Sequence, residues 1–153
     1  MTKTDLPLQQ QVEYWNLWNA KFREGDIDEL SLRRGEVVLK TFDSLGMRLP
    51  SIVELGCGSG WLANELSTRG TVTGVDLADE VIARAQQRWR NVRFVAGSLF
   101  TVPLPLASFD VVVTLETIAQ VYDQQAFAAR TAALLKPGGH LILTAQNRVV
   151  FER

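Results

Sequence analysis

Residues 54–60 read Glu-Leu-Gly-Cys-Gly-Ser-Gly, and no other stretch constrains the chain as tightly. The apolar run before it, residues 52–55, has the character of a buried strand. The apolar spacing after it, with Leu62 and Leu66 on one face, is that of a helix. A strand that turns into a helix through glycines at every second position needs backbone conformations closed to other residues. It also leaves bare backbone where a ligand can approach. The first N–H groups of the helix then face an anionic or polar ligand group. Twenty residues after Gly56 stands Asp76, at the end of the next apolar run. A carboxylate there can accept both hydroxyls of a ribose, so turn and acid together point to an adenosine-containing ligand. The dinucleotide fingerprint G-x-G-x-x-G would put its last glycine at position 61, which is Trp61.

The rest of the chain extends this pattern. Residues 1–48 read as two helices. The first carries Val12, Trp15, Asn19 and Phe22 on one stripe, with a stop at Gly25-Asp26. The second spans 29–45, with Leu30, Val38, Phe42 and Leu45 inward and Gly46 closing it. From residue 49, strands are predicted over 52–55, 71–76, 92–96, 109–115 and 141–145. Helices are predicted over 61–69, with Gly70 at its end, over 79–90, and from an Asp123 cap to Lys136, where Pro137-Gly138-Gly139 stops it. Pro103 and Pro105 exclude a regular helix before the fourth strand. Strand–helix alternation predicts right-handed βαβ units, a parallel sheet, and a ligand site at the carboxyl ends of its strands.

Composition narrows the function classes. With 46% hydrophobic and 22% charged residues, the chain is neither disordered nor low-complexity. A net charge of −1 gives no overall attraction to nucleic acid or an anionic membrane. Arg84, Arg88, Arg90 and Arg93 around Trp89 read as a solvated helix face. No apolar run is long enough to span a bilayer, and the first residues carry no signal-like apolar core, so a cytoplasmic location is expected. One cysteine and one histidine are too few soft ligands for a structural zinc site, so no metal is expected.

Four segments in order resemble the class I S-adenosylmethionine-dependent methyltransferases: residues 53–60, residues 74–77 (Gly-Val-Asp-Leu), residues 109–116, and residues 134–139 (Leu-Leu-Lys-Pro-Gly-Gly). The resemblance implies a Rossmann-like α/β fold with strand order 3-2-1-4-5 and a helical N-terminal extension over 1–48. It also implies S-adenosyl-L-methionine as cofactor and S-adenosyl-L-homocysteine as product. The cofactor-binding residues it implies are Glu54, Gly56, Cys57, Gly58, Gly60, Asp76, Leu77, Ser98, Leu99 and Leu115. Among them the glycines would border the methionine part. Glu54 would brace the turn or reach the cofactor's amino group, Asp76 would take the ribose and Leu77 would pack on the adenine. Ser98 stands where the family often has an aspartate facing the adenine amino group; a serine hydroxyl accepts without charge. Cys57 reads either as a thiol acidified at a helix start or as a small residue filling the turn.

Methyl transfer from a sulfonium needs position and desolvation more than acid–base help. A base, where one is needed, would have to be Glu, Asp, Lys or Tyr, because His140 lies at the wrong end of the fifth strand. Glu116 and Tyr14 are the candidate catalytic residues. Gln120 stands where many relatives carry a histidine. Tyr14, Trp15 and Trp18 would lie on a helix that covers the cofactor, where aromatic faces suit a sulfonium cation. The family's sheet resembles seven strands, of which residues 49–153 hold five, so the domain is expected to be incomplete at its C-terminus. A small-molecule acceptor is the leading expectation. The alternatives are a non-catalytic cofactor-binding module and a protein or nucleic-acid methyltransferase. The unblunted fifth strand also predicts a homodimer through residues 140–153.

Overall fold

The computed structural model describes residues 6–147. Its elements are α1 (Leu8–Phe22), α2 (Glu29–Ser44), β1 (Ser51–Leu55), α3 (Trp61–Leu66), β2 (Thr71–Asp76), α4 (Asp79–Arg88), β3 (Val92–Ala96), β4 (Phe109–Leu115), α5 (Gln124–Leu134) and β5 (Leu135–Thr144). A single 3-10 turn, Ile118–Gln120, links β4 to α5. The five strands are parallel, in the order β3-β2-β1-β4-β5. Alternate strand residues supply two cores, one on each face. Ile52, Val72, Val111 and Val113 pack with Val38 and Phe42 of α2 and with Leu62 and Leu66 of α3. Val53, Leu55, Val75 and Val112 pack with Phe127 and Leu134 of α5. Helix α2 therefore shares a core with the sheet.

Several boundaries and faces differ from the sequence expectation. In α1, Phe22 is exposed and the buried residues are Asn16 and Asn19. Asn16 docks the helix through polar contacts: its Nδ2 donates to Asp79 Oδ1 at 2.7 Å, and its Oδ1 accepts from Glu80 N at 3.2 Å. These contacts also satisfy the free amide and first acidic residue at the start of α4. In α2, Leu30 faces solvent and the inward stripe is Ser31, Gly35, Val38 and Phe42. Two small polar or side-chain-free residues on that stripe hid it from a hydrophobic count. Helices α3 and α4 stop at Leu66 and Arg88, short of the expected ends. Gly70 serves a close approach to the Pro50 carbonyl rather than a helix cap. Helix α5 starts at its Asp123 cap but ends at Leu134, and β5 begins at once. Pro137-Gly138-Gly139 forms a bulge inside that strand: Phe109 pairs with Leu135, and Val111 next pairs with His140. Beyond β5 the described chain ends at Asn147. Of the 140–153 segment expected to form a dimer edge, residues 148–153 lie outside the described residues.

Gly35 has a specific packing role. A Cβ there would run into the Trp61 indole, with Cζ3 at 3.0 Å and another ring carbon nearer still. Gly35→Ala should gain about 1 kcal/mol of helix propensity yet lose roughly 1–3 kcal/mol to overpacking. The expected result is no net gain or a loss in urea unfolding. A variant stabilised by the full propensity difference would show that the indole moves freely.

Candidate active site

The carboxyl ends of β1, β2 and β4 open onto a cavity of about 670 Å³, roofed by α1 and walled by α2. That volume suits a drug-sized ligand. The β1–α3 turn forms its floor. Gly56, Gly58 and Gly60 have φ of 77°, 51° and 77°, all left-handed. A Cβ on Gly56 would collide with Thr117, whose Oγ1 donates to the Leu55 carbonyl at 3.0 Å. One on Gly60 would lie 2.5 Å from Phe94. At Gly58 the nearest atom is Asn19 Oδ1 of α1, at 2.9 Å, so the roof helix comes down onto the turn.

Asp76 closes the turn from the next strand. Its Oδ2 accepts from Gly58 N at 2.8 Å and its Oδ1 from Ala78 N at 2.9 Å. Burial pushes its carboxyl above the ordinary aspartate range, while these amides pull it back. Glu54, 2% exposed, stands beneath the turn. Burial, then the neighbouring Asp76 charge, push its carboxyl well up; a hydrogen bond from the Ala63 amide works the other way. Its Oε2 is buried and has no partner among the described residues. The same burial, with the charges of Asp76 and Glu54, pushes the Cys57 thiol up. The acidified-thiol reading of Cys57 is not supported: burial, with the two carboxylates behind it, outweighs the helix start, and Cys57 fills the turn.

Leu77, Gly97, Ser98 and Leu99 line the wall beside Asp76, and the Gly97 amide donates to the Asp76 carbonyl at 2.8 Å. Ser98 caps the next turn: its Oγ accepts from Phe100 N at 3.3 Å, and its carbonyl accepts from Thr101 and Val102. One lone pair of the Ser98 hydroxyl is thus engaged, and its O–H and second lone pair remain for a ligand.

Across the cavity lie Leu115, Glu116 and Gln120. Glu116 is one of three non-glycine residues with positive φ among the described residues, at 61°. Its amide is tied to Thr144 O and Oγ1 at 3.1 and 3.2 Å. Its Oε1 lies 3.6 Å from Arg34 Nε on α2. Trp15 and Trp18 line the cavity; Tyr14 does not, and stacks edge-on against Trp15 at 5.0 Å between centroids. His140 is exposed where β5 resumes pairing after the bulge and does not line the cavity. Sequence reasoning missed Arg34, Trp61 and Thr117. Arg34 carries no motif, and only the spacing from Ser31 around the inward face of α2 would have placed it here. Among the described residues, no group of three or more His, Cys, Asp or Glu is placed to hold a metal, and no helix is long and apolar enough to cross a membrane.

Comparison with known proteins agrees with this geometry. The family model described as a methyltransferase domain matches residues 53–143. A protein of Mycolicibacterium smegmatis named "Probable S-adenosylmethionine-dependent methyltransferase" is 34% identical over 122 residues, covering 78% of this chain and 46% of that protein. The ubiquinone biosynthesis O-methyltransferase of Coxiella burnetii is 31% identical over 102 residues, covering 63% of this chain and 44% of that protein. The chain thus spans about half the length of the curated relatives it matches. Among solved structures, the DhpI–SAM–HEP complex superposes with a TM-score of 0.73 at 23% identity, covering 95% of this chain and 70% of that one. A SAM-dependent methyltransferase from Aquifex aeolicus gives 0.65 at 20% identity, covering 90% and 71%. The glycine turn, the strand order and the match over residues 53–143 lead to one conclusion: this chain belongs to the methyltransferase-domain family.

Proposed function

We propose that the chain binds S-adenosylmethionine in this cavity and transfers its methyl group to a small-molecule acceptor. The observation that carries the reading is the unpartnered, buried Glu54 Oε2 beneath a turn that tolerates no Cβ. An orphaned buried acceptor is costly, and a ligand ammonium relieves it. Asp76 uses one lone-pair direction on each oxygen for Gly58 and Ala78 and retains the others for ribose hydroxyls. Leu77 and Leu99 flank the adenine, and the Ser98 hydroxyl meets the adenine edge without the charge an aspartate would bring. Once bound, the sulfonium supplies an already activated methyl group, so these residues need only position it and exclude water. The roof formed by α1 leaves room for a small acceptor, and the printed name of the Coxiella relative supports one.

Calorimetry with S-adenosylmethionine, S-adenosylhomocysteine and NADH tests this directly. Saturable binding of the first two, with NADH weaker, is the expected result; tighter NADH binding overturns it. Methyl transfer to a panel of phenols, amines and carboxylic acids then separates an enzyme from a binding module. Binding with no turnover anywhere would favour the module.

A further inference from the structure

We propose that the acceptor is a hydroxyl-bearing ring whose O–H is held and deprotonated by Glu116, with Arg34 as the residue that positions Glu116. The inference rests on the cofactor reading above and adds the class of the acceptor. Four observations carry it. First, Glu116 Oε2 is buried and has no partner among the described residues, although Glu116 lines the cavity. Second, Gln120 lines the same part of the cavity, and its Oε1 is also buried without a partner. Two unsatisfied acceptor atoms call for a ligand that donates hydrogen bonds. A carboxylate acceptor would instead put its charge beside that of Glu116. Third, the cavity that Glu116 and Gln120 line has broad aromatic walls, to which Trp15, Trp18, Trp61 and Tyr122 contribute. Such faces suit a flat ring. Fourth, Glu116 is held in place from both sides. Its left-handed backbone is pinned to Thr144, and its other oxygen, Oε1, faces Arg34 Nε at 3.6 Å. At that distance the guanidinium attracts the carboxylate without a direct hydrogen bond. The constrained backbone at a cavity-lining residue fits a functional site, since strain of this kind persists only where its surroundings enforce it.

The step balances simply. The acceptor's O–H bond breaks and its proton passes to Glu116 Oε2. The freed oxygen lone pair forms the new O–C bond to the methyl group of a sulfonium donor, which departs as a neutral thioether. Glu116 returns its proton to solvent when the products leave.

The test uses fluorescent probes and the full chain saturated with S-adenosylhomocysteine. 2-Naphthol carries the donor; 2-methoxynaphthalene has the same ring without it. Wild-type protein should bind 2-naphthol at least about tenfold more tightly, the discrimination expected from a hydrogen bond to a charged acceptor. Bound 2-naphthol should also show enhanced naphtholate emission, the signature of proton transfer to a nearby carboxylate. Glu116→Ala should bring the preference close to unity and lose the emission. Glu116→Gln, which keeps the fold if the smaller residue does not, should keep part of the preference but lose the emission. Arg34→Met should diminish both, and Arg34→Lys should restore them, which a merely structural arginine would not do. Equal binding of the two probes by wild-type protein, binding of neither, or naphtholate emission that survives Glu116→Gln overturns the proposal. A variant at Glu116 that weakens S-adenosylhomocysteine binding also overturns it, because it places Glu116 on the cofactor. Wild-type protein that fails to bind S-adenosylhomocysteine at all instead brings down the underlying cofactor reading.

Discussion

Asp76→Ala should weaken S-adenosylmethionine binding at least about tenfold and also destabilise the ligand-free protein by roughly 1.5–3 kcal/mol. Sequence reasoning alone leads to the first effect with the fold intact; the structure adds the second. The carboxylate that would hold the ribose also accepts from Gly58 N and Ala78 N, at 2.8 and 2.9 Å. Removing it strips two amides of a charged acceptor, and the first belongs to the left-handed glycine at the centre of the turn. Each such bond is worth about 1.5–3 kcal/mol, yet the two do not add in full. Relief of the buried carboxyl's own desolvation, visible in its raised pKa, offsets part of the loss. Asp76→Asn separates the roles. Its amide oxygen still accepts from one backbone N–H, so stability should recover in large part while ribose binding stays weak. Urea unfolding and calorimetry on both variants decide the matter. A folded Asp76→Ala with an unchanged dissociation constant would sink the assignment of Asp76 to the ligand.

The sheet was legible in the sequence because a parallel sheet covered on both faces turns its strands into apolar runs, and glycines punctuate them. Strands β2, β3 and β4 lie where the pattern put them, with Asp76 at the end of β2. The helices were less legible wherever the inward residue was not apolar. Asn16 buries its amide against α4 and Asn19 against the glycine turn, while Gly35 makes room for Trp61 beside the buried Ser31. A count of hydrophobic residues sees none of these, although the spacing of the first helix did put Asn19 on its inward stripe. The Pro-Gly-Gly segment was read as a helix stop; tertiary pairing with β4 absorbs it as a bulge. At the site, the turn and Asp76 follow from local spacing. The Arg34–Glu116 pair does not, because it joins α2 to the end of β4 and exists only once the chain has folded.

Glu54→Gln should make the ligand-free protein more stable at neutral pH and bind S-adenosylmethionine more weakly. Glu54 is 2% exposed and its Oε2 has no partner, so its carboxylate is poorly solvated. Burial, reinforced by the Asp76 charge, raises its pKa well above the ordinary glutamate value of 4.5. The sign of the pH effect follows. Between the unfolded and the folded pKa, the native state binds more protons than the unfolded chain, so stability falls as pH rises through that window. A glutamine carries no charge to desolvate and keeps an oxygen for the Ala63 amide that now bonds Glu54. The variant should therefore gain stability at neutral pH from the lost charge alone, because its NH2 is left as unpartnered as Oε2 was. It should also flatten the pH slope, and the raised carboxyl of Asp76 should leave a residual decline. The ligand reverses the balance: an ammonium beside Glu54 stabilises its ionised form, so wild-type protein should release protons on binding across the raised titration range of the ligand-free carboxyl. Thermal melts at several pH values measure the first effect, and calorimetry in buffers of different ionisation enthalpy measures the second. 5′-Methylthioadenosine, which lacks the amino-acid part, supplies the control. Its affinity should hardly change in Glu54→Gln, while that of S-adenosylmethionine falls roughly tenfold. Equal losses for both ligands would show that Glu54 only braces the turn.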